Sequence, residues 1–340
     1  MNRFSSFCFR FFSFFSAIER KFFSEIRFLV YQPQATVISV GNLSLGGTGK
    51  TPVLMEILDT GEIACNSVVL TRGYRSPWER GFYLLHGSSP HPSKITDESL
   101  LINRRLPNIP ILLGKNRAHS AVLAERWFHP RYIFLDDGFQ YRRLRKDVEL
   151  ITVDVSVPIE PTFSDFRSIL REPIERINDA SAILLTRGEI ARPELRSEWA
   201  RMLKQVSPKV PIIELSTISE CWINPEGVQI PIAPPPKFVF AFAAIGNPAS
   251  FQRNLQKIGC AVVGTKWFRD HGSYSLKDLQ EIYKRSQASK AIPVCTEKDR
   301  VKISPKVAKE IGLFSLKIRL VPANGNTLIA ELGKIGINIL

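Results

Sequence analysis

Ala35-Thr36-Val37-Ile38-Ser39-Val40-Gly41-Asn42-Leu43-Ser44-Leu45-Gly46-Gly47-Thr48-Gly49-Lys50-Thr51-Pro52 decides the architecture of this chain. A short β-rich run, Ala35 to Val40, leads into a turn crowded with glycine, and the helical run Val53 to Leu58 follows. Strand, glycine-rich turn and helix N-terminus form the setting that a G-x-x-x-x-G-K-[ST] phosphate loop requires. Gly46, Gly47 and Gly49, with Thr48 between them, let backbone N–H groups close around phosphates, and the helix dipole adds positive potential at the same place. Lys50 then reaches the β- and γ-phosphates, and the Thr51 hydroxyl holds Mg²⁺. Ser44 stands where the general motif has its first glycine. Pro52 is tolerated because first-turn N–H groups have no acceptor within the helix.

Outward from this loop, short apolar runs alternate with helical stretches: Ser67 to Thr71, Ile109 to Leu113, Tyr132 to Leu135, Val148 to Val153 and Ala182 to Thr186. Most are continuously apolar, as strands buried on both faces are, so the class is α/β with a parallel sheet covered by helices on each side. Tyr132-Ile133-Phe134-Leu135 runs directly into Asp136-Asp137-Gly138-Phe139-Gln140. In phosphate-loop proteins an apolar strand ending in Asp supports the magnesium ion. Adjacent carboxylates at such a strand end repel unless a cation or donor lies near, which makes Asp136 and Asp137 metal candidates.

The chain has 340 residues, which fits two domains at roughly 150 residues each. Residues 31–212 form the phosphate-loop core. At 213–236 the texture changes: Asn224-Pro225-Glu226-Gly227 reads as a turn between two extended runs, and three prolines follow. This predicts a β-ribbon linker. A second, smaller α/β lobe occupies 237–340, with strands expected at Phe238 to Ala243, Ala261 to Thr265, Ala291 to Cys295 and Phe314 to Leu320.

Ten of the 22 phenylalanines fall in residues 1–30, with Phe4, Phe7, Phe11, Phe14, Ile18 and Phe22 at helical spacing and Arg3, Arg10 and Arg20 on another side. This segment reads as an amphipathic helix whose uncharged run, Phe11 to Ile18, is too short to span a bilayer but suits the headgroup region. The net charge of +14 favours an anionic partner. Cys8, Cys65, Cys221, Cys260 and Cys295 are scattered, with no C-x-x-C pair, so a reducing compartment fits better than a disulfide scaffold or zinc cluster. One alternative is a phosphate-loop ATPase or GTPase acting on a nucleic-acid or protein partner. The chain lacks an RNP-like aromatic strand, a zinc finger and a dense Lys/Arg block, so nucleic acid is not expected.

The motifs together resemble those of the tetraacyldisaccharide 4'-kinases, the lipid A kinases. Val40 to Pro52 is similar to that family's phosphate loop. Leu70-Thr71-Arg72-Gly73-Tyr74-Arg75, Asp136 to Gln140, Leu170-Arg171-Glu172-Pro173, Ile245-Gly246-Asn247-Pro248, Phe268-Arg269-Asp270-His271 and Thr296-Glu297-Lys298-Asp299 follow in the family's order. The resemblance implies transfer of the γ-phosphate of ATP, with Mg²⁺, to the 4'-hydroxyl of an anionic acylated disaccharide 1-phosphate. It also implies a peripheral place on the cytoplasmic face of the bacterial inner membrane, reached through the N-terminal helix.

By position, Asp97 looks like the family's acid and His271 like its histidine partner, the pair that accepts the sugar hydroxyl's proton. Thr96 and Ser99 stand where the family has Gly and Pro, and Tyr141 where it often has His. Glu172 resembles a residue near the magnesium site, and Arg72, Arg75, Arg117 and Arg171 are candidates for holding phosphate. From the residues alone, Asp97 is an ordinary surface carboxylate and His271 a capping or solvated histidine. Thr296 to Asp299 superficially matches the guanine-reading N/T-K-x-D order, but Lys298 stands third instead of second, and a helix cap is the expected role.

Overall fold

The computed structural model describes residues 30–44, 47–74, 76–87, 95–159 and 170–339. The helix expected over residues 1–30 lies outside these but for its last residue, as do Gly46 and Arg75. Among the described residues no helix is long and apolar enough to cross a membrane. The chain divides into two compact units: residues 1–216 with 321–340, and residues 217–320.

In the first unit the strands are β1 (Thr36–Asn42), β2 (Ser67–Thr71), β3 (Tyr83–Leu85), β4 (Ile111–Leu113), β5 (Tyr132–Asp136), β6 (Val148–Asp154), β7 (Ala182–Thr186) and the start of β8 (Ile212–Ile223). They lie in the order β8-β7-β6-β1-β5-β2-β4-β3. All pairs are parallel except the edge strand β3, which runs antiparallel to β4. β1 is therefore the point from which the sheet is wound in both directions, and ligands of open α/β sheets bind at the carboxyl ends of the strands at such a point.

The helices are α1 (Lys50–Leu58), α2 (Gly61–Cys65), α3 (Asp97–Arg105), α4 (Arg117–Phe128) and α5 (Pro193–Val206). On one sheet face Val37, Val68, Leu70, Ile133 and Leu135 pack on Ala121 and Ala124 of α4. Farther along the sheet, Ile151, Val153, Ile183 and Leu185 pack with Trp199 and Leu203 of α5. The alternate residues Ile38, Phe134, Leu150 and Leu184 are equally buried, which is why the strands read as unbroken apolar runs.

The second unit holds the end of β8, β9 (Gln229–Pro231), β10 (Phe238–Ala243), β11 (Ala261–Trp267), β12 (Ile292–Thr296) and most of β13 (Phe314–Pro322). β8 and β9 form the expected antiparallel ribbon. The Asn224 side chain accepts from Val228 N at 2.8 Å, and Gly227 takes a positive φ of 86° to close the turn. β11-β10-β12-β13 is a parallel sheet. Phe240 and Phe242 face Leu279 and Ile282 of α7 (Leu276–Ala288), whereas Val239, Ala241 and Ala243 face Phe251 and Leu255 of α6 (Pro248–Lys257). Two short helices follow, α8 (Glu297–Arg300) and α9 (Pro305–Glu310).

Residues 321–340 depart from the division read off the sequence, which places them in the second lobe. They rejoin the first unit, where α10 (Leu328–Lys334) packs on α1 through its buried face of Leu328 and Leu332. No change of composition marks the return, because the chain leaves one sheet and meets the other within a few residues of β13.

Candidate active site

The phosphate loop leaves the carboxyl end of β1, where Val40 lies in register with Asp136 of β5. Gly49 precedes α1 with φ 88°, a left-handed conformation open to glycine at little cost. A Cβ there would stand 3.3 Å from Thr186 Cγ2 at the end of β7. Thr186 Oγ1 donates to the Thr48 carbonyl at 2.8 Å, and the Thr48 and Thr152 hydroxyls are hydrogen-bonded at 2.7 Å. The loop is thus fastened to β6 and β7 through Thr48, whose side chain turns into the protein. On its other flank Asn42 Nδ2 donates to Ser44 O at 2.7 Å and Gln140 Nε2 donates to Asn42 O at 2.9 Å. Gly41 lies so close to the 136–140 turn that a Cβ would meet Phe139 Cβ at 2.5 Å. No larger residue fits there without moving the loop.

Asp136 ends β5 and is buried, and Asp137 follows it with φ 56°. Non-glycine residues held in this region carry strain and cluster at functional sites. Lys50 Nζ lies 3.4 Å from Asp137 Oδ1, and Arg171 Nη1 donates to Asp137 Oδ2 at 2.8 Å. Burial alone would push the Asp137 carboxyl up, but Lys50, Arg171 and Arg117 together hold it below the usual carboxylate range. It is therefore ionised at neutral pH.

Arg171 is brought to the site by its own backbone. Its N–H donates to Leu43 O at 2.6 Å, and Ser44 bridges Leu170. Glu172, next in sequence, is almost wholly buried and held in an arginine clamp: Arg142 Nη2 donates to both of its oxygens, at 2.9 and 3.1 Å, and Arg176 lies 3.7 Å away. Arg142 escapes sequence reading because it follows the Asp136–Gln140 motif and is one arginine of three in Arg142-Arg143-Leu144-Arg145. Beneath the same turn Lys146 Nζ donates to the carbonyls of Gly138 and Phe139 and pairs with Glu149 at 2.6 Å. Burial pushes the Lys146 ammonium down and the Glu149 carboxyl up.

Arg117 opens α4 and is buried, its guanidinium 4.2 Å from the centre of the Tyr141 ring. Tyr141 OH accepts from Ala118 N at 2.9 Å and donates to Asn116 Oδ1 at 3.2 Å. Tyr141 thus forms the bed for Arg117. Arg72 follows β2 on the surface, bound to Glu79 at 2.7 Å and 5.4 Å from the Tyr74 ring. Asp97 is the first residue of α3. The Thr96 hydroxyl caps that helix by accepting from Ser99 N at 3.3 Å and meets the Ser99 hydroxyl at 2.8 Å. Thr96 and Ser99 thus act as a capping pair at the start of α3.

His271 belongs to the second unit. It has φ 60°, its N–H donates to Ala244 O at 3.1 Å, and its ring lies 3.8 Å from the Asp270 carboxylate. Thr296 caps α8, as expected, by accepting from Asp299 N. Buried Asp299 accepts from Ala244 N at 3.2 Å and pairs with Lys302 at 2.9 Å, and Lys302 donates to Gly272 O at 3.1 Å. Thr296 to Asp299 is therefore the brace that fixes the turn carrying His271.

The oxygen donors at this edge suit magnesium. The Thr51 hydroxyl on the first turn of α1 and the carboxylates at the end of β5 are hard ligands, and magnesium keeps several waters and substrate oxygens alongside one or two such groups. No cage of three or more His, Cys, Asp or Glu is present among the described residues. An ion carried in with a nucleotide needs none.

A family profile described as tetraacyldisaccharide-1-P 4'-kinase matches residues 7–334. The chain belongs to this family. The tetraacyldisaccharide 4'-kinase of Halothermothrix orenii is 30% identical over 315 residues, spanning 84% of this chain and 80% of its own. That of Chlamydia trachomatis is 31% identical over 296 residues, 85% of this chain and 78% of its own. This 4'-kinase fold is also that of the LpxK crystal structure from Aquifex aeolicus in complex with ATP, with a TM-score of 0.71, 22% identity, and coverage of 96% and 95%. The parallel phosphate-loop sheet expected from the sequence is the family's architecture.

Proposed function

We propose that the chain transfers the γ-phosphate of ATP to the 4'-hydroxyl of a tetraacylated glucosamine disaccharide 1-phosphate, at the cytoplasmic face of a bacterial inner membrane. One observation carries this reading: in a member of the 4'-kinase family, Lys50, Asp136, Asp137 and Arg171 converge on a glycine-rich loop at the winding point of the sheet. Main-chain amides of residues 46–50 and the Lys50 ammonium take up the β- and γ-phosphates. Thr51 with Asp136 and Asp137 would hold magnesium, which would supply charge neutralisation for the phosphates. Arg171 and Arg117 add fixed positive charge, Arg72 and Arg75 are the candidates to bind the acceptor's phosphate, and Glu172 supports the site through Arg142. Because phosphoryl transfer requires little covalent help, positioned charge does most of the work.

A sugar hydroxyl becomes a competent nucleophile as its proton is accepted, and Asp97 with His271 is the proposed acceptor pair. Purified protein given ATP, Mg²⁺ and the disaccharide 1-phosphate should place phosphate on the 4' oxygen with little released to water. Release to water without transfer would favour the ATPase reading. Asp97→Ala and His271→Ala should each keep nucleotide affinity and lose about 10²- to 10⁴-fold in transfer rate. Residues 1–30 are proposed as the surface anchor. Their deletion should abolish co-sedimentation with vesicles containing anionic phospholipid, and unchanged sedimentation would dispose of the anchor.

A further inference from the structure

The turn 136–140 carries the two acids at the end of β5 in a strained shape. Asp137 has φ 56°, and a non-glycine residue stays in that region only where its surroundings over-determine it. Asp137 N donates to Val40 O at 3.0 Å and Gln140 Nε2 to Asn42 O at 2.9 Å, which ties both ends of the turn to β1. A Cβ on Gly138 would stand 2.5 Å from Leu135 Cβ and 2.6 Å from Ser39 Oγ, so the middle of the turn lies directly on β5 and β1. The peptide groups just after Asp137 are set by Lys146. Its Nζ donates to Gly138 O at 3.2 Å and to Phe139 O at 3.1 Å, and it pairs with Glu149 of β6 at 2.6 Å. An ammonium has three donors, and here each has an acceptor. Among the described residues these bonds go to main-chain carbonyls and to Glu149, and to neither Asp136 nor Asp137.

Both side chains are largely buried. A buried ion pair is a poor source of stability, since packed apolar residues of similar size commonly replace it at little cost. What apolar residues cannot supply is the pair of bonds to the carbonyls one and two residues beyond Asp137. Groups that orient metal ligands from behind typically change metal affinity or activity by about 10- to 100-fold. We propose that Lys146, held in place by Glu149, is a positioning residue. By fixing the Gly138 and Phe139 carbonyls it keeps Asp137 in its left-handed conformation, and so keeps the Asp136 and Asp137 carboxylates in the arrangement that takes up a divalent ion with the nucleotide.

This inference rests on reading Asp136 and Asp137 as the metal-bearing acids, and not on the identity of the phosphate acceptor. The test uses full-length protein, ADP and Mn²⁺. ADP affinity is titrated with excess chelator, Mn²⁺ uptake by the ADP complex is followed by electron paramagnetic resonance, and each variant is melted. In the double variant Lys146→Met with Glu149→Leu the melting temperature should stay within a few degrees of wild type. Its metal-free ADP affinity should also be that of wild type, while the Mn²⁺ affinity of its ADP complex should fall by about 10- to 100-fold. Glu149→Gln leaves Lys146 its two carbonyl bonds but strips its charge partner, so this variant should melt lower and yet keep the wild-type Mn²⁺ affinity. A double variant with undiminished Mn²⁺ affinity would overturn the proposal, as would Mn²⁺ affinity that drops with the melting temperature in Glu149→Gln. Wild type that takes up no Mn²⁺ with ADP would instead overturn the reading of the two acids, and the proposal with it.

Discussion

Lys50→Ala should lower the rate of phosphoryl transfer by about 10²- to 10³-fold or more while leaving the fold intact. In the transition state negative charge spreads over the equatorial oxygens of the moving phosphoryl group, and a preplaced ammonium stabilises it without reorganisation. Lys50 is preplaced: it opens α1 directly after the left-handed Gly49, and Asp137 holds its ammonium at 3.4 Å. Removing it leaves Asp137 with Arg171 and in the field of Arg117. The Asp137 side chain is 35% exposed, so water screens the loss, and the melting midpoint should move by only a few degrees. Steady-state transfer and a thermal melt on the same preparation read both quantities. A melt near wild type with undiminished turnover would remove Lys50 from the mechanism. Lys50→Arg should not restore the rate, because a planar guanidinium cannot take the place of a compact ammonium at this site.

Arg142→Met should give the largest loss of stability, about 3 to 5 kcal/mol in denaturant unfolding. The side chains of Arg142 and Glu172 are only 10% and 2% exposed, and one guanidinium nitrogen serves both carboxylate oxygens. Truncating the cation strips the buried Glu172 carboxylate of its two short hydrogen bonds and leaves Arg176, 3.7 Å away, as a poorer match. The double variant Arg142→Met with Glu172→Leu should recover much of the lost stability, since well-packed apolar residues commonly replace a buried ion pair at little cost. Transfer should nevertheless stay depressed in the double variant, because the clamp on Glu172, the residue next to Arg171, adds to the backbone bond from Arg171 to Leu43 in fixing this segment beside the phosphate loop. An Arg142→Met protein as stable as wild type would show that the clamp is not the anchor of this segment.

The sheet was legible because its strands are buried on both faces and announce themselves as unbroken apolar runs. Ser67–Thr71, Ala182–Thr186 and Phe238–Ala243 have the bounds their composition predicts, and the other runs differ by a residue or two at their ends. The edge strand Tyr83–Leu85 was missed: three residues paired on one side only carry too little pattern. In the site, Lys50 and the Asp136-Asp137 pair were legible because phosphate chemistry imposes a local spacing. Arg142 and Lys146 were not, since each acts on a partner distant in sequence or through a turn that only the fold creates. Thr296 to Asp299 shows the converse, a motif whose letters attract attention but whose physical work is to cap a helix and brace the His271 turn.

The interleaved order of the two units bears on how the chain is made. Because residues 321–340 complete the first unit, a nascent chain that has just finished β8 has its phosphate-loop sheet but not the helix that covers α1. The intervening unit, by contrast, is continuous from Thr217 to Leu320 and is complete before that last segment emerges. During synthesis the apolar flank of α1 therefore waits uncovered until residues 321–340 have emerged, an interval in which a chaperone would find it.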